Sequence, residues 1–287
     1  RRTAALTLAL LTFAAGTVRA DVVQRGASAA TTTAQTESTV EGGTVVDQSA
    51  VGVSESTTAT VTQAAASHGS GVNTGEVKVV TSTLFGGDEL MLVAPRSTSQ
   101  MMSFVVTTKS GKVIVFDVGT EHDTEHLKEV LRAKGGRVSA WFITHPHSDH
   151  VGALTKILQD ANSGITIDAV YYNFQPQEWY NTNEAYRADM VAQCRSAIET
   201  LPESARHTVH KGDNIAIDDV TVNVMNDPYL SSMNSINNSS VAYRLDVSSR
   251  RVLFLGDMGV QAGNQLVADY ANNPGALQAD IVQMAHH

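Results

Sequence analysis

Apolar positions along the 287-residue chain change character near Glu76. An apolar run at residues 3–15 follows Arg1-Arg2. Residues 21–76 then carry Thr, Ser, Ala, Val and Gly, with no Phe, Tyr or Trp. A segment of that kind cannot bury enough apolar surface to offset its ordering entropy, about 1–2 kcal/mol per residue for the backbone alone. It is expected to be a disordered linker. The first run has the length of a signal peptide, with Val18 and Ala20 offering small residues for cleavage after Ala20, and it is short for a stable membrane span. The predicted boundaries are therefore a signal peptide at 1–20, a Ser/Thr/Ala-rich linker at 21–76 and a folded domain at 77–287. An uncleaved anchor or a buried helix is the competing reading of the first run.

From residue 77 the pattern alternates between strand and helix periods. Apolar runs at 77–80, 103–108 and 112–116 predict strands, with Ser110-Gly111 as a hairpin turn. Asp123 is a helix N-cap, Leu127, Val130 and Leu131 form a buried stripe, and Gly135-Gly136 end the helix. A strand at 139–143, a helix at 151–158 and a strand at 165–172 follow. A helix is expected from about Glu184, with Tyr186, Met190, Cys194, Ile198 and Leu201 on its packed face. Residues 206–226 predict two strands around Gly212-Asp213, and 227–238 a loop. Residues 241–247 and 251–255 predict a hairpin, 264–270 a helix, and Ile281 begins a last apolar run. Two sheets with outer helices make an α/β fold, a four-layer αββα sandwich.

Composition narrows the picture modestly. An apolar content of 42% supports a core in the C-terminal part. The formal charge of −9 disfavours nucleic acid, whose binding depends on Lys and Arg neutralising phosphates, although bound metals would add local positive charge. A single cysteine, Cys194, excludes an internal disulfide.

The candidate chemistry is concentrated in Thr144-His145-Pro146-His147-Ser148-Asp149-His150, between a strand and a helix. Imidazole and carboxylate are the ligands of zinc, manganese and iron. A tight strand-to-helix turn aims His145 and His147 one way and Asp149 and His150 another, which suits two metal ions about 3.5–4 Å apart. A surface loop that happens to hold histidines is the bland reading, and the spacing at a strand-to-helix junction tells against it. His68, His122, His126, His207 and His210 read as surface or structural. Trp179 and Tyr180 follow a strand end and either stack on a substrate or anchor their loop.

The His-x-His-x-Asp-His run resembles the signature of the metallo-β-lactamase fold superfamily. Val113-Ile114-Val115-Phe116-Asp117-Val118-Gly119 resembles the family's strand ending in Asp-x-Gly. Val252-Leu253-Phe254-Leu255-Gly256-Asp257 resembles the strand whose Asp bridges the metals. His286-His287 and Asn237-Asn238-Ser239-Ser240-Val241 resemble one branch, which holds extracellular DNA-uptake hydrolase domains and choline-phosphate esterases. The likeness covers roughly residues 77–287. An intermediate histidine usual in the binuclear enzymes has no clear counterpart here. The chain also begins without Met and stops where a family member would continue, so it is expected to be truncated.

The resemblance implies a secreted or cell-surface hydrolase with one or two Zn2+ ions, Mn2+ or Fe2+ being the other candidates. A metal-bound hydroxide would attack carbon or phosphorus. The metal ligands would be His145, His147, Asp149, His150 and Asp257, with one or both of His286 and His287. Asp149, His286 and His287 are the candidate catalytic residues. Asp117 would hold the ligand loop. A small-molecule or cell-surface phosphoester is the expected substrate. Lactam, lactone or thioester hydrolysis, and a binding protein that retains the fold, are the alternatives.

Overall fold

The computed structural model describes residues 78–81, 86–96 and 98–285. The expected signal peptide, linker and His68 lie outside these residues, as do His286 and His287.

The chain opens with four antiparallel neighbours: β1 (Lys78–Thr81), β2 (Glu89–Leu92), β3 (Phe104–Thr107) and β4 (Val113–Phe116). Strand β2 escaped the sequence reading because only four residues separate its turn from a proline-containing loop. Helix α1 (Thr124–Ala133) starts after Asp123 and buries Leu127, Val130 and Leu131 as its spacing predicts. Strands β5 (Arg137–Val138) and β6 (Ala140–Phe142) lead to α2 (Ser148–Gln159). The single strand expected over 165–172 divides into β7 (Thr166–Ile167) and β8 (Val170–Tyr172). The division has a local cause: Asp168 N–H donates to Val138 O, so β7 pairs with β5 while β8 continues beside β6.

Helices α3 (Gln177–Asn183) and α4 (Ala185–Ile198) come next, broken at Glu184. The expected packed face of α4 is corrected. Tyr186 is 79% exposed, whereas Ala188, Val191, Cys194 and Ile198 are buried. Successive steps of four residues advance about 40° each on a helix, so Tyr186 and Ile198 lie about 120° apart and cannot share one face.

Strand β9 (Arg206–Thr208) closes the first sheet, ordered β1-β2-β3-β4-β6-β8-β9. The turn at Gly212-Asp213 joins two strands as expected, but it carries the chain to a second sheet, and residues 206–226 hold three strands instead of two. That sheet holds β10 (Asn214–Ile217), β11 (Val220–Val224), β12 (Tyr243–Val247), β13 (Arg250–Phe254) and β14 (Ile281–Gln283) in that order. A short helix α5 (Ser235–Asn238) ends the expected loop, and α6 (Val260–Asp269) starts four residues before the expected helix.

Three apolar layers follow from this order. Leu90, Ile114 and Phe142 of the first sheet meet Val222, Leu245 and Val252 of the second. Outside the first sheet, Leu127, Leu154 and Cys194 of α1, α2 and α4 cover Val115 and Trp141. Outside the second, Ala262 and Leu266 of α6 cover Ala242 and Leu253. In the central layer Phe116, Phe142, Tyr171 and His207 are in-register neighbours on β4, β6, β8 and β9, and their rings stack 4.7–5.0 Å apart. Phe254 stacks on Phe116 from the opposite sheet at 4.0 Å. Burying each phenylalanine contributes about 1.5–3 kcal/mol. His207 therefore belongs to a structural aromatic row.

Candidate metal centre

Three strand ends converge on one buried point. Asp117 follows β4, Thr144 and His145 follow β6, and Gly256-Asp257 follow β13 of the other sheet. Two bonds fasten the second sheet to the histidine loop: Tyr243 Oη–H donates to Ile143 O at 2.9 Å, and Val241 N–H to Thr144 O at 2.8 Å. Gly256 sits at φ +58, and a Cβ there would lie 2.6 Å from Thr144 Oγ1. Only glycine meets both demands, and its absence of side chain lets the β13 end approach the loop. Gln283 on β14 holds that end in place, its Oε1 accepting from Leu255 N–H and Gly256 N–H at 2.8 Å each.

The histidine run is less of a loop than expected. Helix α2 begins at Ser148, so Asp149 and His150 lie in its first turn. Gly152 permits this helix to approach the preceding 3-10 turn, since a Cβ there would lie 2.5 Å from Glu121 N.

Proton bookkeeping fixes the ring orientations. Asp117 Oδ1 accepts Thr144 N–H at 2.9 Å, and Oδ2 accepts Thr144 Oγ1–H at 2.8 Å and faces His150 Nδ1 at 2.9 Å. His150 Nδ1 must donate, because an ionised carboxylate only accepts. Thr144 has given its proton to Asp117, so at the 3.0 Å contact with His145 Nδ1 it accepts. As neutral rings both histidines thus carry their proton on Nδ1 and turn Nε2 inward. Without a cation, His150 also holds a proton on Nε2, toward Asp257 Oδ1. Burial alone would lower the His150 pKa, but Asp117 and Asp257 outweigh it and raise it to about 10. Burial raises the Asp117 pKa, with His150 and Thr144 opposing.

His145, His150 and Asp257 each present a ligand atom, and these atoms lie within 4.8 Å of one another, with all three residues buried. Asp257 Oδ1 is 3.2 Å from His150 Nε2, and Ser240 Oγ accepts Asp257 N–H at 3.3 Å. His147 Nδ1 lies 3.1 Å from His145 Nε2. The Asp149 carboxylate is 3.8 Å from His150 Nε2, on the more exposed rim. The two expected pairs are therefore not separate: His145 neighbours both His147 and the His150–Asp257 pair. Two imidazoles and a carboxylate, with Asp149 at the rim, are a donor set that fits a divalent cation.

Of the remaining histidines, His126 was expected at the surface but is buried, its Nε2 3.1 Å from Ala94 O. His210 is exposed and pairs with Asp227. Tyr180 is wholly buried, and its hydroxyl accepts Gln175 N–H at 3.0 Å, so it anchors its loop. Trp179 packs edge-on against it. The sequence reading missed Glu184, whose Oε1 is 3.2 Å from His147 Nε2. Burial would raise its pKa, but His147, Ile236 N–H and Tyr186 hold it down to about 2. No spacing rule points to Glu184; only the break between α3 and α4 marks it.

Residues 98–286 match the family described as the Metallo-beta-lactamase superfamily. Among solved structures, the chain is similar to the metallo-beta-lactamase GOB-18 from Elizabethkingia meningoseptica. The identity is 17%, over 69% of this chain and 73% of that one, with a TM-score of 0.44. It is similar to BJP-1, a subclass B3 metallo-beta-lactamase of Bradyrhizobium japonicum, at 16% identity, over 70% and 75% of the two chains, with a TM-score of 0.43. A Cronobacter sakazakii metallo-beta-lactamase with a HARLDQ motif gives 15%, 70% and 76%, and 0.45. No curated protein matches the chain.

Proposed function

Because the chain belongs to the metallo-beta-lactamase superfamily, we propose that this hydrolase holds divalent metal, zinc first, at His145, His150 and Asp257 and acts on phosphoesters. The observation that carries the reading is the buried convergence of those three side chains from two sheets. A bound cation supplies Lewis acidity and makes water nucleophilic at neutral pH. The protein's own part is orientation and exclusion. Asp117 keeps the His150 proton on Nδ1, Thr144 does the same for His145, and the surrounding core excludes bulk water. A second metal is part of the proposal: His147 would join His145 on one ion, and Asp149 would join His150 on the other.

The phosphoester choice rests on the resemblance of the Asn237-Asn238-Ser239-Ser240 run and of His286-His287 to the phosphodiesterase branch. Ser240 accepts Asp257 N–H, so the run adjoins the centre. Asn238 is buried, its Nδ2 donating to Met233 O at 2.8 Å and its Oδ1 accepting Ala262 N–H at 3.2 Å. The run thus shapes the wall beside Asp257. Export to the cell surface, a small-molecule or surface ester as substrate and kinship with the choline-phosphate esterase branch complete the proposal. They rest on residues 1–20 and on the sequence motifs. Among the described residues, no helix is long and apolar enough to cross a membrane.

The test is turnover by the zinc-loaded full chain on bis(p-nitrophenyl) phosphate and p-nitrophenyl phosphorylcholine, beside nitrocefin and a simple thioester. Phosphoester turnover abolished by a chelator and restored by zinc supports the proposal. Turnover confined to nitrocefin or the thioester replaces the substrate class, and zinc binding without turnover of any substrate favours a binding protein.

A further inference from the structure

Glu184 stands at the break between α3 and α4, 34 residues beyond the histidine run in sequence. Its side chain is only 10% exposed and reaches three groups. Oε1 lies 3.2 Å from His147 Nε2 and accepts Tyr186 Oη–H at 3.0 Å, while Oε2 accepts Ile236 N–H at 3.0 Å. A carboxylate only accepts, so the proton of His147 sits on Nε2. Its Nδ1 then presents a lone pair to His145 Nε2, 3.1 Å away. That nitrogen is also a lone pair, because His145 donates through Nδ1 to Thr144 Oγ1. Two lone pairs facing at this distance repel unless a proton or a metal ion is shared between them. Two imidazole nitrogens on one tetrahedral zinc, each about 2.0–2.1 Å from it, stand about 3.3 Å apart.

We infer that Glu184 is a positioning residue that holds the Nε2–H of His147 and so turns its Nδ1 toward His145 Nε2, adding His147 to the donor set. The inference rests on reading this cluster as a metal centre. Glu184 does not touch the cation in this arrangement; it acts through the ring of His147. Its bond to Ile236 N–H joins the same carboxylate to the start of α5, the helix that precedes the Ser240 wall. Such partners of ligating histidines fix tautomer and ring orientation, and losing one costs about 10–100-fold in metal affinity.

The experiment measures zinc affinity of the full chain by competition with a chromogenic chelator. The thermal midpoint of the metal-free protein is recorded alongside, and the His147 tautomer is read by long-range 1H–15N NMR, with His147→Gln assigning its signal. Glu184→Ala is expected to weaken zinc binding about 10–100-fold and to replace the Nε2–H tautomer of His147 by a mixture. Glu184→Gln keeps one acceptor oxygen and should recover part of the affinity. Unchanged affinity in Glu184→Ala overturns the inference. So does a loss of affinity with the tautomer unchanged, which is what a merely structural role predicts. If Glu184→Ala does not fold, Glu184→Gln serves alone, and wild-type affinity and tautomer in it overturn the inference. A wild-type chain that binds no zinc overturns the metal reading, and this inference with it.

Discussion

Asp117 Oδ2 and His150 Nδ1 face one another at 2.9 Å with both side chains wholly out of solvent. The carboxylate also accepts from both donors of Thr144, so one residue after β4 orients the loop after β6 and the first turn of α2. Asp117 sits at φ +50, a conformation that Asn tolerates well. Asp117→Asn therefore tests the charge without straining the backbone. It should destabilise the metal-free protein by about 1.5–3 kcal/mol, the worth of a hydrogen bond to a charged group. Urea unfolding measures this, and a variant as stable as wild type would show that the pair contributes nothing net.

Asp257 is buried at the end of β13 and lies 3.2 Å from His150 Nε2. Asp257→Asn keeps the shape and removes the negative charge that a cation requires. Zinc content by elemental analysis should fall and hydrolysis should be lost, while the circular dichroism spectrum stays that of wild type. Full zinc content with full turnover would remove Asp257 from the centre.

Gly256→Ala adds one methyl group at φ +58, against Thr144 Oγ1. The strain of that conformation costs about 1–3 kcal/mol, and the clash must displace either the β13 end or the histidine loop. Lower stability is expected together with weaker zinc binding, because Asp257 is the next residue. Loss of stability with unchanged zinc affinity would show that the loop absorbs the methyl group away from the site.

Cys194 lies in the layer between α4 and the first sheet, and burial pushes its thiol pKa up to about 12. At pH 8 the thiol is then protonated as well as covered, and the thiolate is the reactive form. Ellman's reagent should leave the native chain unlabelled over the minutes in which the urea-unfolded chain reacts fully. Rapid labelling of the native chain would place Cys194 at the surface.

Much of the element order was legible because it rests on local periodicity. The α1 stripe, the Ser110-Gly111 turn and the hairpin of β12 and β13 are set by residues within a few positions of one another. The misread elements share a different cause. Residues 165–172 carry one strand pattern, yet Asp168 hands its first half to β5 and its second to β6, a choice made by partners elsewhere in the chain. The face of α4 was set by which side meets the first sheet, and that left Tyr186 in solvent.

The sequence by itself determined the donor types and their position between a strand and a helix, because the ligands lie within 144–150 and the apolar runs on either side set the two elements. That the helix starts inside the run, at Ser148, came from the structure. The sequence also determined that Asp117-Val118-Gly119 follows one apolar strand that approaches this loop and Gly256-Asp257 the other. The tertiary structure decided which donors meet. His145 and His150 converge on Asp257, more than 100 residues away, only because Gly256 lets the second sheet close against Thr144. It also decided the ring orientations, since the partners that fix them, Asp117 and Glu184, arrive from other elements. Hydrogen-bond direction is a property of two groups in space, and no spacing along one chain segment contains it.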